Sequence, residues 1–317
     1  MNALSKRQFL KLSLASGVAL TLSACGGGDD DFSDIVAVLS AKPEYSLLVE
    51  AVQAAGLVDT LKSSGPFTVF APNNTAFANL LDELETSKED LFANTGLLTA
   101  VLTYHVLPSR VTAANIPFGE AIETVQGDIF KIDNTPDGPV ITDGRNRTSN
   151  IKVTNLYARN GVIHGIDKVI LPADQDIVET ALALAPEFSI LVEAVQAAGL
   201  VATLQGDGPF TVFAPTNAAF EAALDELSVS KDDLFANTAL LTQILTYHVL
   251  PARVLKAEVP IDTAITTVEG TALRVNSSLQ IVDAVNRTAG IVTTDVLTSN
   301  GVIHVIDKVI LPALPPG

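Results

Sequence analysis

A chain of 317 residues with 48% hydrophobic content, 5% aromatics and no Trp has room for about two ordinary domains whose cores are built from Ala, Val, Leu and Ile. That composition excludes a disordered chain. The formal charge of −17 repels phosphate backbones and anionic lipid, which excludes nucleic-acid binding and direct electrostatic docking on a membrane.

The N-terminus, 1–24, reads as a three-part export signal. Lys6, Arg7 and Lys11 open it, an apolar run from Leu12 to Leu22 follows, and small residues precede Cys25. The run is too short to span a bilayer. Removing these three bases, with no acid among them, takes the net charge from −17 to −20. The stretch Leu22 to Cys25, LSAC, resembles a bacterial lipobox, and SKRQFLK resembles a twin-arginine export signal with Lys6 at the place of the first arginine. The lipobox resemblance implies that Cys25 is acylated and becomes the first residue of the mature protein. Several acyl chains anchor stably at about 0.8 kcal/mol per buried CH₂. Cys25 is the only cysteine, so no intramolecular disulfide can form. Residues 25–31, rich in Gly and Asp, then make a short acidic tether of about 20 Å when extended.

Beyond the tether the chain is written twice. PEYSLLVEAVQAAGLV from Pro43, GPFTVFAP from Gly65 and LTYHVLP from Leu102 return 143 residues later, and NGVIHGIDKVILPA from Asn160 returns 140 residues later. A unit this long owns a core of its own, unlike the short repeats of solenoids. The expected boundaries are 32–172 and 173–313, with a tail at 314–317. Few residues, Pro172 to Asp176, join the copies, so their mutual orientation should be restricted.

Each copy opens with a helix: Leu47, Leu48, Ala51, Val52 and Ala55 fall on one stripe, as do Ile190, Leu191, Ala194, Val195 and Ala198, with Gly56 and Gly199 placed as C-caps. After a turn at Gly65-Pro66, FTVF is a buried strand that Pro72 ends. NNTAFANLLDEL starts a helix capped by Asn73 or Asn74, with Phe77, Leu80, Leu81 and Leu84 inward. Ser87 with Asp90, and Ser230 with Asp233, have the spacing of capping boxes. LLTAVLTYHVLP is a helix that becomes a strand near Tyr104. From Val111 the segments TVQGDIFKI, GPVIT, NIKVTNLYA and GVIHGIDKVILP are short and β-rich. Helices first and strands afterwards predict an α+β fold with mostly antiparallel pairing, a curled β-sandwich with helices packed at one side.

The blocks GPFTVFAPNNTAF, LTYHVLP and NGVIHGIDKVILP, in that order and in both copies, resemble the fasciclin-like domain over nearly all of the chain from Phe32 to Ala313. The resemblance implies two tandem domains, each a β-sandwich or wedge with several packed helices. It also implies an exported or surface-anchored setting and adhesion, matrix contact or self-association without enzyme chemistry or cofactor. It carries the family's Tyr-His dipeptide onto Tyr104-His105 and Tyr247-His248 as candidate partner-binding residues.

All four histidines, His105, His164, His248 and His304, lie in repeated blocks with apolar neighbours. That setting favours buried, hydrogen-bonded imidazoles over metal ligands or acid–base groups. No Cys cluster, HExxH or HxH supplies further zinc ligands, and no GxSxG elbow accompanies Asp167 or Asp307 to make a triad. Asp167-Lys168 and Asp307-Lys308 are expected in an exposed turn before a last apolar strand. Asn73, Asn146, Asn276 and Asn286 match the glycosylation sequon, which carries no weight in a bacterium-like export system.

The resulting expectation is a lipid-anchored, exported, non-enzymatic adhesion or binding module of the cell envelope, without metal or cofactor. Its expected partners are the membrane through Cys25, an envelope or extracellular protein or polysaccharide, and a second copy of itself. Two rival readings are an envelope binder of a small apolar ligand or polymer, recognisable by a pocket lined with Phe and Leu, and a hydrolase built from the histidine blocks.

Overall fold

The computed structural model describes residues 33–313. The export signal, Cys25, the tether and the tail lie outside the described residues. In the first repeat the elements are α1 (Ile35–Ser40), α2 (Ser46–Ala54), α3 (Val58–Lys62), β1 (Phe67–Pro72), α4 (Asn74–Glu83), α5 (Lys88–Ala93) and α6 (Thr95–Tyr104). Then come β2 (Val106–Leu107), β3 (Ile122–Glu123), β4 (Ile129–Thr135), β5 (Gly138–Thr142), β6 (Thr148–Ala158) and β7 (Gly161–Ile166). The second repeats the series as α7 (Ile177–Ala183), α8 (Ser189–Ala197), α9 (Val201–Leu204), β8 (Phe210–Pro215), α10 (Asn217–Leu227), α11 (Lys231–Ala236) and α12 (Thr238–Tyr247). It ends with β9 (Val249–Leu250), β10 (Ala264–Thr266), β11 (Ala272–Val275), β12 (Gln280–Val282), β13 (Thr288–Thr298) and β14 (Gly301–Ile306).

Each repeat forms one seven-stranded sheet, in the order β2-β1-β7-β6-β5-β4-β3 and its counterpart β10-β11-β12-β13-β14-β8-β9. All neighbours pair antiparallel except β1 with β7 and β8 with β14, which run parallel. The helical segment between β1 and β2, followed by the β3–β6 meander, brings the chain back to lay β7 beside β1. The strand-rich reading did not foresee this crossover, because periodicity reports alternation and not partner direction.

The sheet curls. Four strand steps separate β1 from β4, about 19 Å in a flat sheet, yet the rings of Phe70 on β1 and Phe130 on β4 meet edge to face at 5.1 Å. The bend falls along β6, whose register against β7 shifts twice and where Asn155 takes a left-handed φ of 58°. Inside the curl lie Phe70, Tyr104, Phe130, Ile132, Ile141 and Ile166. The other face of β1 and β7, with Val69, Ala71 and Ile163, packs on the helices through Leu48, Ala51, Phe77 and Leu98. Fully burying one such side chain contributes about 1.5–3 kcal/mol.

Most predicted elements stand within a residue or two of their expected places. Gly56 ends the α2 stripe with φ +68, the left-handed turn its placement implied. Gly65, also left-handed, is pressed so close that a Cβ would lie 2.2 Å from the carbonyl oxygen of Asn160. Asn73 caps α4 by accepting from the Ala76 N–H at 2.8 Å, whereas Asn74 ties α4 to the start of α2 through Leu47 N–H and Pro43 O.

Four local expectations are corrected. Leu84 is 36% exposed rather than inward, because α4 ends at Glu83 and Leu84 is its C-cap. The serine caps are one-sided: Ser87 Oγ accepts from Asp90 N–H at 3.1 Å, and the shorter Asp carboxylate meets that hydroxyl at 2.6 Å instead of reaching back to the Ser87 backbone. A helix precedes the expected first one in each copy, and α7 carries a full capping box between Asp176 and Glu179. The final apolar run from Val169 to Leu171 forms no strand and is held instead by His105, Asp143 and the Gly144 N–H.

Candidate functional site

The residues singled out for chemistry lie inside. Tyr104 and His105 end α6, Tyr247 and His248 end α12, and all four are at most 2% exposed. This removes them as direct partner contacts and gives them another task. Tyr104 donates its hydroxyl to Ile129 O at 2.7 Å and accepts from Gly144 N–H at 2.8 Å, joining α6 to β4 and to the β5–β6 turn. His105 donates from Nδ1 to Val101 O at 2.7 Å and accepts at Nε2 from Ile170 N–H at 3.1 Å. The imidazole thereby holds the unpaired terminal run that the sequence suggested was a strand. Tyr247 and His248 repeat these bonds with Ala272 O, Ala284 N–H, Ile244 O and Ile310 N–H.

Burial holds both imidazoles neutral, with pKa values lowered to about 4. Burial also pushes the Tyr247 hydroxyl up to about 12 and the Tyr104 hydroxyl well above its ordinary value. His164 and His304 stack on Phe70 and Phe213 at 5.4 and 5.7 Å and bond through Nε2 to Val111 O and Val254 O, both at 2.9 Å. Desolvation lowers their pKa values too. Each of these imidazole hydrogen bonds goes to the backbone, so none draws a proton from a nucleophile. Asp167 is turned to Asn150, accepting from its backbone and side-chain N–H groups at 2.7 and 2.8 Å. Among the described residues no group of three His, Cys, Asp or Glu is placed to hold a metal ion.

A second buried network escaped the sequence reading. Asp143, fully enclosed, accepts from Arg145 N–H, Arg147 N–H, Leu171 N–H and the Arg147 guanidinium. Asp283 takes the same place with Val285, Arg287 and Leu311. The signal was present: D-x-x-N-R recurs at Asp143 and Asp283 with the 140-residue offset, but Asn146 and Asn286 drew notice only as sequons.

Two of the recesses on the described surface bear on a partner. One is an apolar recess that recurs in both repeats, lined by Leu57, Phe67 and Val125 in the first and by Leu200, Phe210 and Val268 in the second. Each has a cavity volume of about 40 Å³, far below the ~300–1,000 Å³ of small-molecule pockets.

The other lies where the repeats meet, and both belong to one compact unit. Ile129 of the first packs with Leu255, Leu297 and Val302 of the second. Asn146 donates to Leu297 O at 3.0 Å and accepts from Leu297 N–H at 2.7 Å, and Ala121 N–H donates to Glu258 at 3.0 Å. Lys131 reaches across to Asp295 at 3.0 Å while also pairing with Asp133 at 3.1 Å. Burial opposes the Lys131 charge, but these two carboxylates more than offset it and raise its pKa. Beside this contact a groove of about 610 Å³ opens, with Lys131 and Asp133 on one wall and Lys256 and Asp295 on the other. It is a binding-sized space, and it lies where such sites tend to form, between domains.

The fasciclin domain family matches residues 43–172 and again 186–312. The chain belongs to the fasciclin domain family. Its two tandem fasciclin domains are α+β, each with one seven-stranded sheet and several helices. It is 32% identical over 254 residues to transforming growth factor-beta-induced protein ig-h3 of Sus scrofa, a match covering 80% of this chain and 35% of that protein. To periostin of Homo sapiens it is 27% identical over 281 residues, 87% of this chain and 31% of the other. To cell surface glycolipoprotein MPB83 of Mycobacterium bovis it is 38% identical over 144 residues, 44% of this chain and 61% of the other. The chain thus spans about a third of the length of the first two relatives. A solved FAS1 domain pair from the insect cell adhesion molecule fasciclin I aligns over 86% of this chain and 97% of its own, at a TM-score of 0.42 and 18% identity.

Proposed function

We propose that this two-domain fasciclin protein is a non-enzymatic adhesion or binding module, exported and held to the cell envelope by lipid at Cys25. The observation that carries the reading is the use of the repeated blocks. Tyr104, His105, Tyr247 and His248 spend their polar atoms on backbone partners inside the core, which leaves the outer surface and the inter-domain groove for contacts. Family membership across both halves supports the same conclusion. That one relative is a cell surface glycolipoprotein is consistent with the lipobox-like LSAC at Leu22 to Cys25. No helix among the described residues is long and apolar enough to cross a membrane.

The repeated recess, at about 40 Å³ in each domain, is too small to hold a whole apolar ligand of ordinary size. A junction with its own apolar cluster restricts how the two domains turn against one another, so a repetitive partner would be met by both at a set spacing, with gain in avidity. The test has two arms. Cys25→Ala should move the protein from the membrane to the soluble fraction, and unchanged fractionation defeats the anchor. The full chain should retain envelope or matrix material on a column that a heat-denatured control does not, and equal retention defeats the binding role.

A further inference from the structure

The inter-domain groove differs in kind from the rest of this acidic surface. The chain carries a formal −17, but the charged residues of the groove are two lysines, Lys131 and Lys256, against two aspartates, Asp133 and Asp295. An ion of either sign finds no net attraction there. Phe118 and Ile261, 39% and 40% exposed, place apolar surface beside the amide of Asn134 and the hydroxyls of Ser277 and Thr294. The walls come from separate domains and are locked together by the Lys131–Asp295 pair, by Asn146 with Leu297, and by the Ile129 cluster. The groove is therefore formed before any ligand arrives, which lowers the ordering cost of binding.

We infer that this groove between the two domains binds a neutral oligosaccharide segment, an inference that rests on the binding role proposed above and names its ligand class. A sugar ring offers an apolar C–H face and a rim of hydroxyls that both donate and accept. Phe118 and Ile261 meet the face. Asp133 accepts from hydroxyls, Lys256 donates to them, and Asn134, Ser277 and Thr294 do both. The groove's polar groups are side chains pointing in several directions. An extended peptide would instead seek a row of backbone N–H and C=O groups at a sheet edge, and the edge strand β10 is not among the lining residues.

The experiment is calorimetric titration of the full chain in detergent with maltohexaose, cellohexaose and N-acetylchitohexaose, and with a neutral hexapeptide as contrast. At least one sugar should bind at millimolar concentration or below. Phe118→Ala and Asp133→Ala should each weaken it about tenfold, Phe118→Ala with unchanged melting temperature, while Asn286→Ala, outside the groove lining, leaves it unmoved. Absence of binding by all three sugars, binding indifferent to both groove variants, or binding of the peptide alone overturns the inference. Retention of envelope material by Phe118→Ala and Asp133→Ala at the wild-type level removes the groove and leaves the adhesion role standing.

Discussion

The first repeat turns Ile129 and Asn146 onto the second, whereas the second carries Ala272 and Asn286 at the matching places and leaves both exposed. Reading the other side of the contact gives the same contrast. Leu255, Glu258, Asp295 and Leu297 receive the first repeat, and their counterparts in the first repeat are Thr112, Asn115, Asn155 and Tyr157, the last 53% exposed. The interiors, by contrast, keep the same partners in Tyr104 with Tyr247 and His105 with His248, and Asp143 and Asp283 both accept from the terminal run, although the Arg147 guanidinium bonds Asp143 at 2.8 Å and that of Arg287 stands 3.6 Å from Asp283. A duplicated domain keeps its core and diverges at its ends, so that one junction forms and the free ends lack the residues to continue it. A head-to-tail contact that stayed the same at both ends would extend into a filament.

The shared interior should give the largest effects, and equal ones in both domains. His105 and His248 have folded pKa values lowered to about 4 from an ordinary 6.5. The unfolded chain therefore binds protons that the folded chain refuses. Stability is complete above about pH 6.5 and falls as the pH drops from there to about 4, where the folded imidazoles also protonate. The loss should reach a few kcal/mol for each domain, read as a melting temperature that falls steeply across this window. In His105→Ala/His248→Ala the slope should flatten between pH 6.5 and 4. A slope unchanged by that double substitution shows that other groups govern acid sensitivity.

Next in size is the tyrosine. Tyr104→Phe removes the hydroxyl partner of the Ile129 carbonyl and one of the two acceptors of the Gly144 N–H, which keeps Leu171 O at 3.1 Å, at a cost of about 1–3 kcal/mol. Tyr247→Phe should cost less, since its bond to Ala272 O is longer, at 3.2 Å. Chemical denaturation of the two variants measures the difference, and equal losses would mean that the longer bond contributes as much as the shorter.

Much of this was legible in the chain and some was not, for identifiable reasons. The stripe at Leu48, Ala51 and Val52, the left-handed Gly56 and the FTVF strand follow from local periodicity and turn chemistry, which a sequence displays directly. The enclosure of the histidines was legible from their apolar neighbours, whereas their particular partners, Ile170 and Val111, lie 65 and 53 residues away. The parallel β1–β7 pair was hidden because alternation looks the same for either strand direction. Repeat comparison marks what two copies share, so the junction and its groove were invisible to it: their residues are those in which the copies differ. Asp295 stood in plain sight opposite Asn155, but its meaning required Lys131 beside it.

Substitutions at the junction should have medium effects, and only on one side of the pairing. Leu297→Ala removes an apolar anchor from the Ile129 cluster, at about 2 kcal/mol, and should broaden the distribution of inter-domain distances measured between spin labels on the two repeats. Tyr157→Ala, the same site on the free face, should change neither. Asp295→Asn writes the first repeat's residue into the second. It keeps an acceptor for the Lys256 N–H, which Asp295 holds at 2.7 Å, and loses the charge partner of Lys131. Lys131 retains Asp133, so about 1–2 kcal/mol is expected, with a melting temperature less sensitive to salt than the wild type's.

The smallest effect comes from rebuilding the free ends. Thr112→Leu, Asn155→Asp and Tyr157→Leu restore on the first repeat what Leu255, Asp295 and Leu297 supply on the second, and Ala272→Ile restores the apolar knob of Ile129 at the far end. Arg274 already holds a cation at the position of Lys131. Within one chain the junction has the advantage of a short linker, whose effective concentration is of millimolar order. Between chains that advantage is gone, so the quadruple variant should associate only weakly, with Kd of about a millimolar or above. Sedimentation over a range of concentrations should show a monomeric wild type and a variant that grows into open chains rather than stopping at a dimer, because each added copy presents another free end. A wild type that already forms such chains would show that the differences between the copies do not close the pair, and the comparison of the two faces would lose its meaning.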